Sequence, residues 1–383
     1  MNDLEISTSR TWAEINLDNL AWNFKILRAK LNPNAKFLAV CKANAYGHGI
    51  VECARKFQEL GADYIAVASV IEGAELRQNG ITLPILCLGQ ANPDLAPLMD
   101  EYKITQAVGD LENGEKISKI ISEKNSKIKI HVKIDTGMSR TGFYWPDDEN
   151  EKLKTAGEIK KLCGLPGLEA EGIFTHFAAA DDDENFTRLQ LKKFLDAKEK
   201  LSELKINFKI SHAAASVGVL NYPEAHLDMG RFGLVLYGYA DTEKGNEGST
   251  LGLKPVMKVK SRITAVRNLP AGTTISYGRT FELKRDSLIA VLPVGYADGL
   301  PRVLSNNFSV KIHENLCPIL GRICMDMCMA DVTDLKLKNI NVKPGDVAAI
   351  LDEDLIPAAA KNAGTIIHEI LCNPSQRVPR VFI

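Results

Sequence analysis

Over roughly the first 240 residues, short apolar runs alternate with longer amphipathic ones. Eight of the short runs predict strands: KFLAVCK (36–42), DYIAVAS (63–69), PILCLG (84–89), ITQAV (104–108), KIHVKID (129–135), AEGIFTHF (170–177), NFKISHA (207–213) and FGLVLYG (232–238). Between most of them, apolar positions recur at helical spacing. VECARKFQELG (51–61) is such a stretch and stops on a glycine. LQLKKFLDAKEKLSEL (189–204) is another, after an acidic start DDDEN (181–185) that suits a helix N-terminus. Strand–helix alternation implies βαβ units and a parallel sheet. Eight strands in about 240 residues match a (β/α)₈ TIM-like barrel of the α/β class. A doubly wound open sheet is the competing architecture, and the missing G-x-G-x-x-G after the first strand counts against it.

Beyond about residue 245 the pattern changes. DTEKGNEGST (241–250) is polar and reads as a linker. After it come β-like alternations broken by turn signals such as NLPAGT and NVKPGD, and only 357–369 looks helical. The expected organisation is a barrel over 12–245 and a mainly-β C-terminal domain over 246–383, with residues 1–11 packed against the latter. No internal repeat or low-complexity tract interrupts either part.

Composition narrows the function classes. The net charge of −1 implies no general affinity for nucleic acid or for a membrane surface. The N-terminus lacks a basic stretch followed by an apolar one, and no apolar run approaches about 18 residues, so the expected location is the cytoplasm. The eight cysteines (41, 53, 87, 163, 317, 324, 328 and 372) contain no C-x-x-C pair and read as reduced thiols. Cys317, Cys324 and Cys328 do not have zinc-knuckle spacing, and no metal is expected.

In a barrel the active site gathers at the C-terminal ends of the strands. The polar residues predicted there are Lys42 with Tyr46 in its loop, Lys133 and Asp135 followed by Arg140, Thr175 and His176, Ser211 and His212 followed by Ser216, and Arg231 with Gly233. Each has an ordinary reading alone: a solvated lysine, a hydrogen-bonded structural histidine, an Arg140–Asp135 pair, a helix-capping serine. Their joint placement argues otherwise. A lysine desolvated beside other cations becomes nucleophilic toward a carbonyl and forms a Schiff base. The loops after strands 7 and 8 often hold phosphate, and here they carry Ser216 and Gly233. A lysine facing a phosphate site points to pyridoxal phosphate. An arginine opposite the pyridine nitrogen does not readily give up its proton, so that nitrogen stays unprotonated and the cofactor is a weaker electron sink.

The segments AVCKANAYGHG (39–49), VKIDTGMSRTGF (132–143), GIFTHFAAAD (172–181), MGRFGLVLYG (229–238), SYGRTF (276–281), VGYADGLPR (294–302) and GRICMDM (321–327) together resemble bacterial alanine racemase over essentially the whole chain. The resemblance implies a homodimer that binds pyridoxal phosphate, interconverts L- and D-alanine, supplies D-alanine for peptidoglycan and shares its active site between subunits. It implies that Lys42 carries the cofactor and is one base, and that Tyr277 of the partner subunit is the other. Arg231 faces the pyridine nitrogen, and His176 lies beside the ring and supports Tyr277. Tyr46, Ser216 and the backbone at Gly233 and Leu234 hold the phosphate. Arg140 and the Met325 backbone take the substrate carboxylate, with Arg140 oriented by a carbamylated Lys133. Asp181, Tyr296, Arg302 and Arg322 line the entrance.

Two positions depart from the family pattern. Ala215 stands where an asparagine usually precedes the phosphate-binding serine, and His368 replaces a phosphate-side tyrosine. A histidine still donates to phosphate or shapes the gate, so the changes bear on strictness for alanine and on cofactor affinity. A racemase for serine or lysine is the nearest alternative. A metallohydrolase barrel built on His176, His212 and a carbamylated Lys133 would leave Lys42 without a role. A non-catalytic pyridoxal phosphate carrier would not need the second domain or Tyr277.

Overall fold

The computed structural model describes residues 9–242, 245–246 and 251–383, and the chain divides into two compact units. One comprises Ala21–Ala45 and Gly49–Leu253; the other comprises the segment up to Leu20, Tyr46–His48 and Lys254–Ile383. The first strand, β1 (Thr11–Ile15), lies in the second of these.

The first unit is the barrel. Its parallel strands are β2 (Lys36–Val40), β3 (Tyr64–Val67), β4 (Ile85–Cys87), β5 (Ile104–Val108), β6 (Ile128–Asp135), β8 (Leu168–Phe174), β9 (Ile210–His212) and β10 (Met229–Phe232). A two-residue β7 (Phe143–Tyr144) pairs beside β6. The hydrogen-bonded order is β10-β2-β3-β4-β5-β6-β8-β9. The ring closes between β9 and β10, where Asp228 N–H donates to Ser211 O (3.0 Å) and Arg231 N–H to Ala214 O (3.2 Å). Strands such as YIAV (β3) and ILC (β4) are wholly buried, as strands covered on both faces must be. Beneath the helix Leu17–Lys30, Phe24 packs on Phe37 (ring centroids 4.4 Å), which stacks on Phe232 (4.0 Å).

Side-chain caps start the helices between strands by satisfying their first N–H groups. Asp110 accepts from Asn113 N–H (2.7 Å), and Asp183, inside the acidic run, accepts from Phe186 N–H (2.9 Å) to open the helix Glu184–Glu203. The predicted helix over 51–61 is Ile50–Glu59.

The eighth strand differs from the expectation of 232–238. It is Met229–Phe232, and Leu234–Tyr237 is a buried 3₁₀ turn. The apolar run LVLY carries the stronger sequence signal, but the strand contains the fully buried Arg231, a residue type that hides a core strand from hydrophobicity. Of the linker 241–250, β11 (Asp241–Thr242) pairs with β12 (Gly245–Asn246), and the rest lies outside the described residues. So do residues 1–8 of the N-terminal segment expected to pack with the C-terminal domain.

The second unit is mainly β. Its strands are β13 (Met257–Arg262), β14 (Ala265–Leu269), β15 (Thr274–Ile275), β16 (Phe281–Glu282), β17 (Ser287–Leu292), β18 (Ser309–Ile312), β19 (Asn315–Pro318), β20 (Cys328–Asp331), β21 (Val347–Leu351) and β22 (Arg380–Phe382). They form a six-stranded sheet β19-β18-β21-β13-β1-β22, a three-stranded sheet β14-β17-β20 and the ladder β15-β16. The single helix read over 357–369 is two, Leu355–Ala363 and Ile367–Cys372, because Gly364 between them takes a left-handed conformation (φ 67°) that ends the first. A further short helix spans Thr333–Leu337. Among the described residues no helix is long and apolar enough to cross a membrane.

Candidate active site

On β6 the residues Lys129, His131, Lys133 and Asp135 share one face, alternating with Ile130, Val132 and Ile134. The interior face of this barrel is therefore polar along one strand. Asp135 Oδ1 accepts from the N–H groups of Gly137, Met138 and Ser139 (2.9–3.0 Å) and so folds the loop that carries Arg140. It makes no ion pair with Arg140 among the described contacts, so the ordinary reading of that arginine does not hold. Lys133 Nζ donates to Thr141 Oγ1 (2.6 Å) and lies 5.8 Å from the centre of the Phe174 ring. Burial, with Arg140 and Arg231 adding repulsion, lowers the Lys133 ammonium to about 8.

Arg231 is the most constrained group. Its guanidinium is buried and donates to Thr175 O (2.9 Å), Ala213 O (2.7 Å), His212 Nδ1 (2.8 Å) and His176 Nδ1 (3.1 Å). Burial, then repulsion from Arg140, lowers it to about 9, which still leaves a cation at neutral pH. His176 is pushed well below the usual imidazole range, first by burial and then by Arg231, Arg140, Lys133 and Lys42. Four cationic side chains therefore act on one imidazole at the C-terminal end of the barrel. His176 Nδ1 and His212 Nδ1 both face Arg231, and no group of three metal-ligating side chains is assembled among the described residues.

Lys42 follows β2 by two residues and leads into an unusual backbone. Ala43, Asn44, Ala45 and Tyr46 all have positive φ (51–54°), a left-handed turn built without glycine. Such a conformation costs about 1–2 kcal/mol per residue, so the surroundings must hold it. Glu72 accepts from Ala43 N–H (2.7 Å) with one carboxylate oxygen and from Ala68 N–H (2.8 Å) and Ser69 N–H (3.3 Å) with the other. The same residue completes a capping box with Ser69. Asn44 closes the far side by accepting from Ile50 N–H (2.8 Å).

Ser216 Oγ accepts from Gly233 N–H (3.0 Å) and keeps its own hydrogen to give. Leu234 opens the turn next to it, and Tyr237 in that turn donates to Val40 O at the end of β2 (2.9 Å). Asp181 is exposed ahead of the helix Glu184–Glu203. Ser216 can offer its hydroxyl and the turn at Leu234 its backbone to a phosphate, and the cations around His176 suit an anionic cofactor.

The other predicted residues fall in the second unit. Tyr277 is 72% exposed in the turn after β15. Ser276 (φ 64°) shapes that turn by donating to Arg322 O (2.5 Å). Tyr296 N–H donates to Cys324 O and Ala297 N–H to Met325 O (both 3.0 Å). Only a glycine permits this approach, since a Cβ on Gly295 would lie 2.3 Å from Cys324 O. Asp298 holds the loop through Gly295 N–H (2.9 Å) and Arg10 (2.6 Å). Tyr277, Tyr296, Arg322 and Met325 thus belong to one loop cluster, with Arg302 in the short turn beyond Asp298. The His368 ring lies 5.9 Å from that of Tyr46.

Sequence reasoning missed Glu72, Thr141, Glu171 and the inward role of His131. The polar alternation on β6 was the available signal for His131. None existed for Glu72, which acts on a residue 29 positions before it.

The chain matches the family models for the alanine racemase N-terminal domain (residues 15–241) and C-terminal domain (residues 256–382). It is 41% identical over 375 residues to an alanine racemase of Desulforamulus reducens, covering 97% of this chain and 98% of that protein. It is 43% identical over 378 residues to one of Methanococcus maripaludis, with the same coverage. Among solved structures, it is similar to an alanine racemase of Clostridium difficile (TM-score 0.92, 38% identity, 98% and 96% of the two chains). It is also similar to the Bacillus anthracis enzyme with bound L-Ala-P (TM-score 0.89, 31% identity, 98% and 95%).

Proposed function

The chain belongs to the alanine racemase family, and from that premise we propose that it interconverts L- and D-alanine with pyridoxal phosphate. The observation that carries the reading is the convergence of Lys42, Lys133, Arg140 and Arg231 on His176 at the catalytic end of the barrel. When bound, pyridoxal phosphate supplies a carbonyl that captures an amine and an electron sink that acidifies the substrate's α-hydrogen.

The residues take these roles. Lys42 would hold the cofactor through its amine. Ser216 Oγ, the backbone at Gly233 and Leu234, and Tyr46 would hold its phosphate, with His368 beside Tyr46. Arg231 would meet the pyridine nitrogen as a donor, with His176, which it also contacts, as the neighbouring group. Arg140 and the Met325 backbone bind the substrate carboxylate. Lys133, once carbamylated, becomes the anion that aligns Arg140. Lys42 Nζ and Tyr277 Oη remove and return the α-hydrogen from opposite faces, so the substrate need not turn over. Tyr277 comes from a second copy of the chain, a homodimer being part of the reading. Its exposure, together with that of Tyr296 (43%), Met325 (52%) and Met327 (44%), supports a covered face there. Asp181, Tyr296, Arg302 and Arg322 line the way in. D-Alanine for peptidoglycan synthesis and a cytoplasmic location complete it.

Lys42→Ala tests the assignment. Racemisation should fall by at least about 10³-fold, since both the anchor and one base are removed. Undiminished chiral conversion in that variant would sink the proposal. The helix that starts at Ser216 has no side-chain cap at Ala215, where the family pattern has asparagine. That difference favours comparing rates with alanine, serine and lysine in the same assay.

A further inference from the structure

Behind Arg231 the barrel interior holds a line of buried polar groups. A guanidinium has only hydrogens to give. His212 Nδ1, 2.8 Å from Arg231 Nη1, must therefore present a lone pair, and its hydrogen sits on Nε2. That nitrogen is 2.9 Å from His131 Nδ1, which must in turn accept. His131 then carries its hydrogen on Nε2, which makes no hydrogen bond but lies 3.5 Å from Glu171 Oε2, an electrostatic contact. Glu171 also receives Tyr64 Oη–H (3.1 Å) and Lys129 Nζ (2.5 Å).

The line is built into the strands. Along β6 and β8 the register shifts between Ile130, which faces Ala170, and His131, which faces Gly172. Glu171 is the extra residue of this bulge, a device that re-aims a side chain. A Cβ on Gly172 would lie 2.6–2.7 Å from the atoms of the His131 ring, so only glycine admits the ring. The His212 ring stacks on Phe174 at 4.8 Å with an interplanar angle of 1°. Glu171, His131, His212 and Arg231 are all buried.

We infer that His131 and His212 form a one-directional hydrogen-bond relay that positions Arg231, with Glu171, in electrostatic contact with the far end of the relay, as its remote counter-charge. Neither imidazole can reverse its tautomer while Arg231 keeps its proton. The groups facing His212 are Arg231, His131 and His176, and those facing His131 are Glu171, Lys129, Tyr64, Arg231 and His212. Burial pushes both imidazoles below their usual range, in keeping with neutral rings. Against its own burial, Glu171 is held down at about 2 by His131 and Lys129, so it stays an anion. The consequence for the reaction rests on the assignment of Arg231 to the pyridine nitrogen: that nitrogen meets a fixed donor. The relay itself does not depend on it.

The test is long-range ¹H–¹⁵N correlation on the full-length protein labelled with ¹⁵N-histidine, with and without added pyridoxal phosphate. Single His131→Gln and His212→Gln variants assign the signals. Neutral Nε2–H rings at both positions from pH 5.5 to 8.5 are the expected result. An Nδ1–H tautomer or an imidazolium at either position at pH 7 overturns the relay. Glu171→Gln keeps the shape and removes the charge, and it should shift the His212 nitrogens although the two residues do not touch. Gly172→Ala should do the same by displacing the His131 ring. Unchanged His212 signals in a folded Glu171→Gln protein would refute the coupling whatever becomes of Gly172→Ala. All of these readings are made without turnover, so they succeed or fail separately from the racemase assignment.

Discussion

The carbamylation proposed for Lys133 can be tested in quantity. An ordinary lysine near 10.5 has about three in ten thousand of its side chains neutral at pH 7. At about 8, Lys133 has roughly one in ten neutral. The gain in reactive amine is therefore about 300-fold. Only the neutral amine attacks CO₂: the N–C bond forms, one amine proton leaves to water, and a carbamate anion remains. Burial is the larger cause of the lowered value and disfavours the carbamate as well; Arg140 and Arg231, which add repulsion to the ammonium, attract that anion and retain it. The assay is ¹³C NMR of the protein equilibrated with ¹³CO₂ at constant pressure. A single protein carbamate signal should appear, and it should be missing in Lys133→Ala. The labelling rate should rise about tenfold per pH unit between pH 6 and 7.5 and level off above pH 8, because the amine is mostly neutral there. A rate that keeps climbing to pH 10, or no carbamate at all, would refute the reasoning.

Two further perturbations follow from the geometry. Glu72→Ala removes the carboxylate that accepts Ala43 N–H and completes the Ser69 capping box, and it should cost about 2–4 kcal/mol in urea unfolding. It should also weaken pyridoxal phosphate binding in titrations, because the left-handed turn after Lys42 loses its clamp; wild-type stability and affinity would count against that role. Tyr277→Phe should slow α-proton exchange from one alanine enantiomer far more than from the other in single-turnover measurements, and equal slowing would remove Tyr277 as a face-specific base.

Hydrophobic periodicity made the barrel and the β-rich second part legible, since parallel strands buried on both faces read as apolar runs. It failed at β10, where the buried guanidinium of Arg231 is carried by the strand itself and the louder apolar run is a 3₁₀ turn. The strand-end cations Lys42, Lys133 and Arg231 were visible because charged residues interrupt otherwise apolar segments. The left-handed turn in KANAY was not visible, because nothing in those residue types demands positive φ, and the carboxylate that holds it comes from another strand–helix connection. Likewise, the β6–β8 bulge that turns Glu171 inward is a property of register between two strands, which a single strand's pattern does not encode. The helix break at Gly364 was readable in principle as a glycine stop inside an apparently continuous stretch.

The most direct test of the central claim is incubation of the protein with L-alanine and pyridoxal phosphate in D₂O, followed by chiral separation and mass detection. The account predicts D-alanine carrying deuterium at Cα, with that product and the exchange both lost in Lys42→Ala. The absence of both inversion and α-deuterium with the wild-type protein would contradict it.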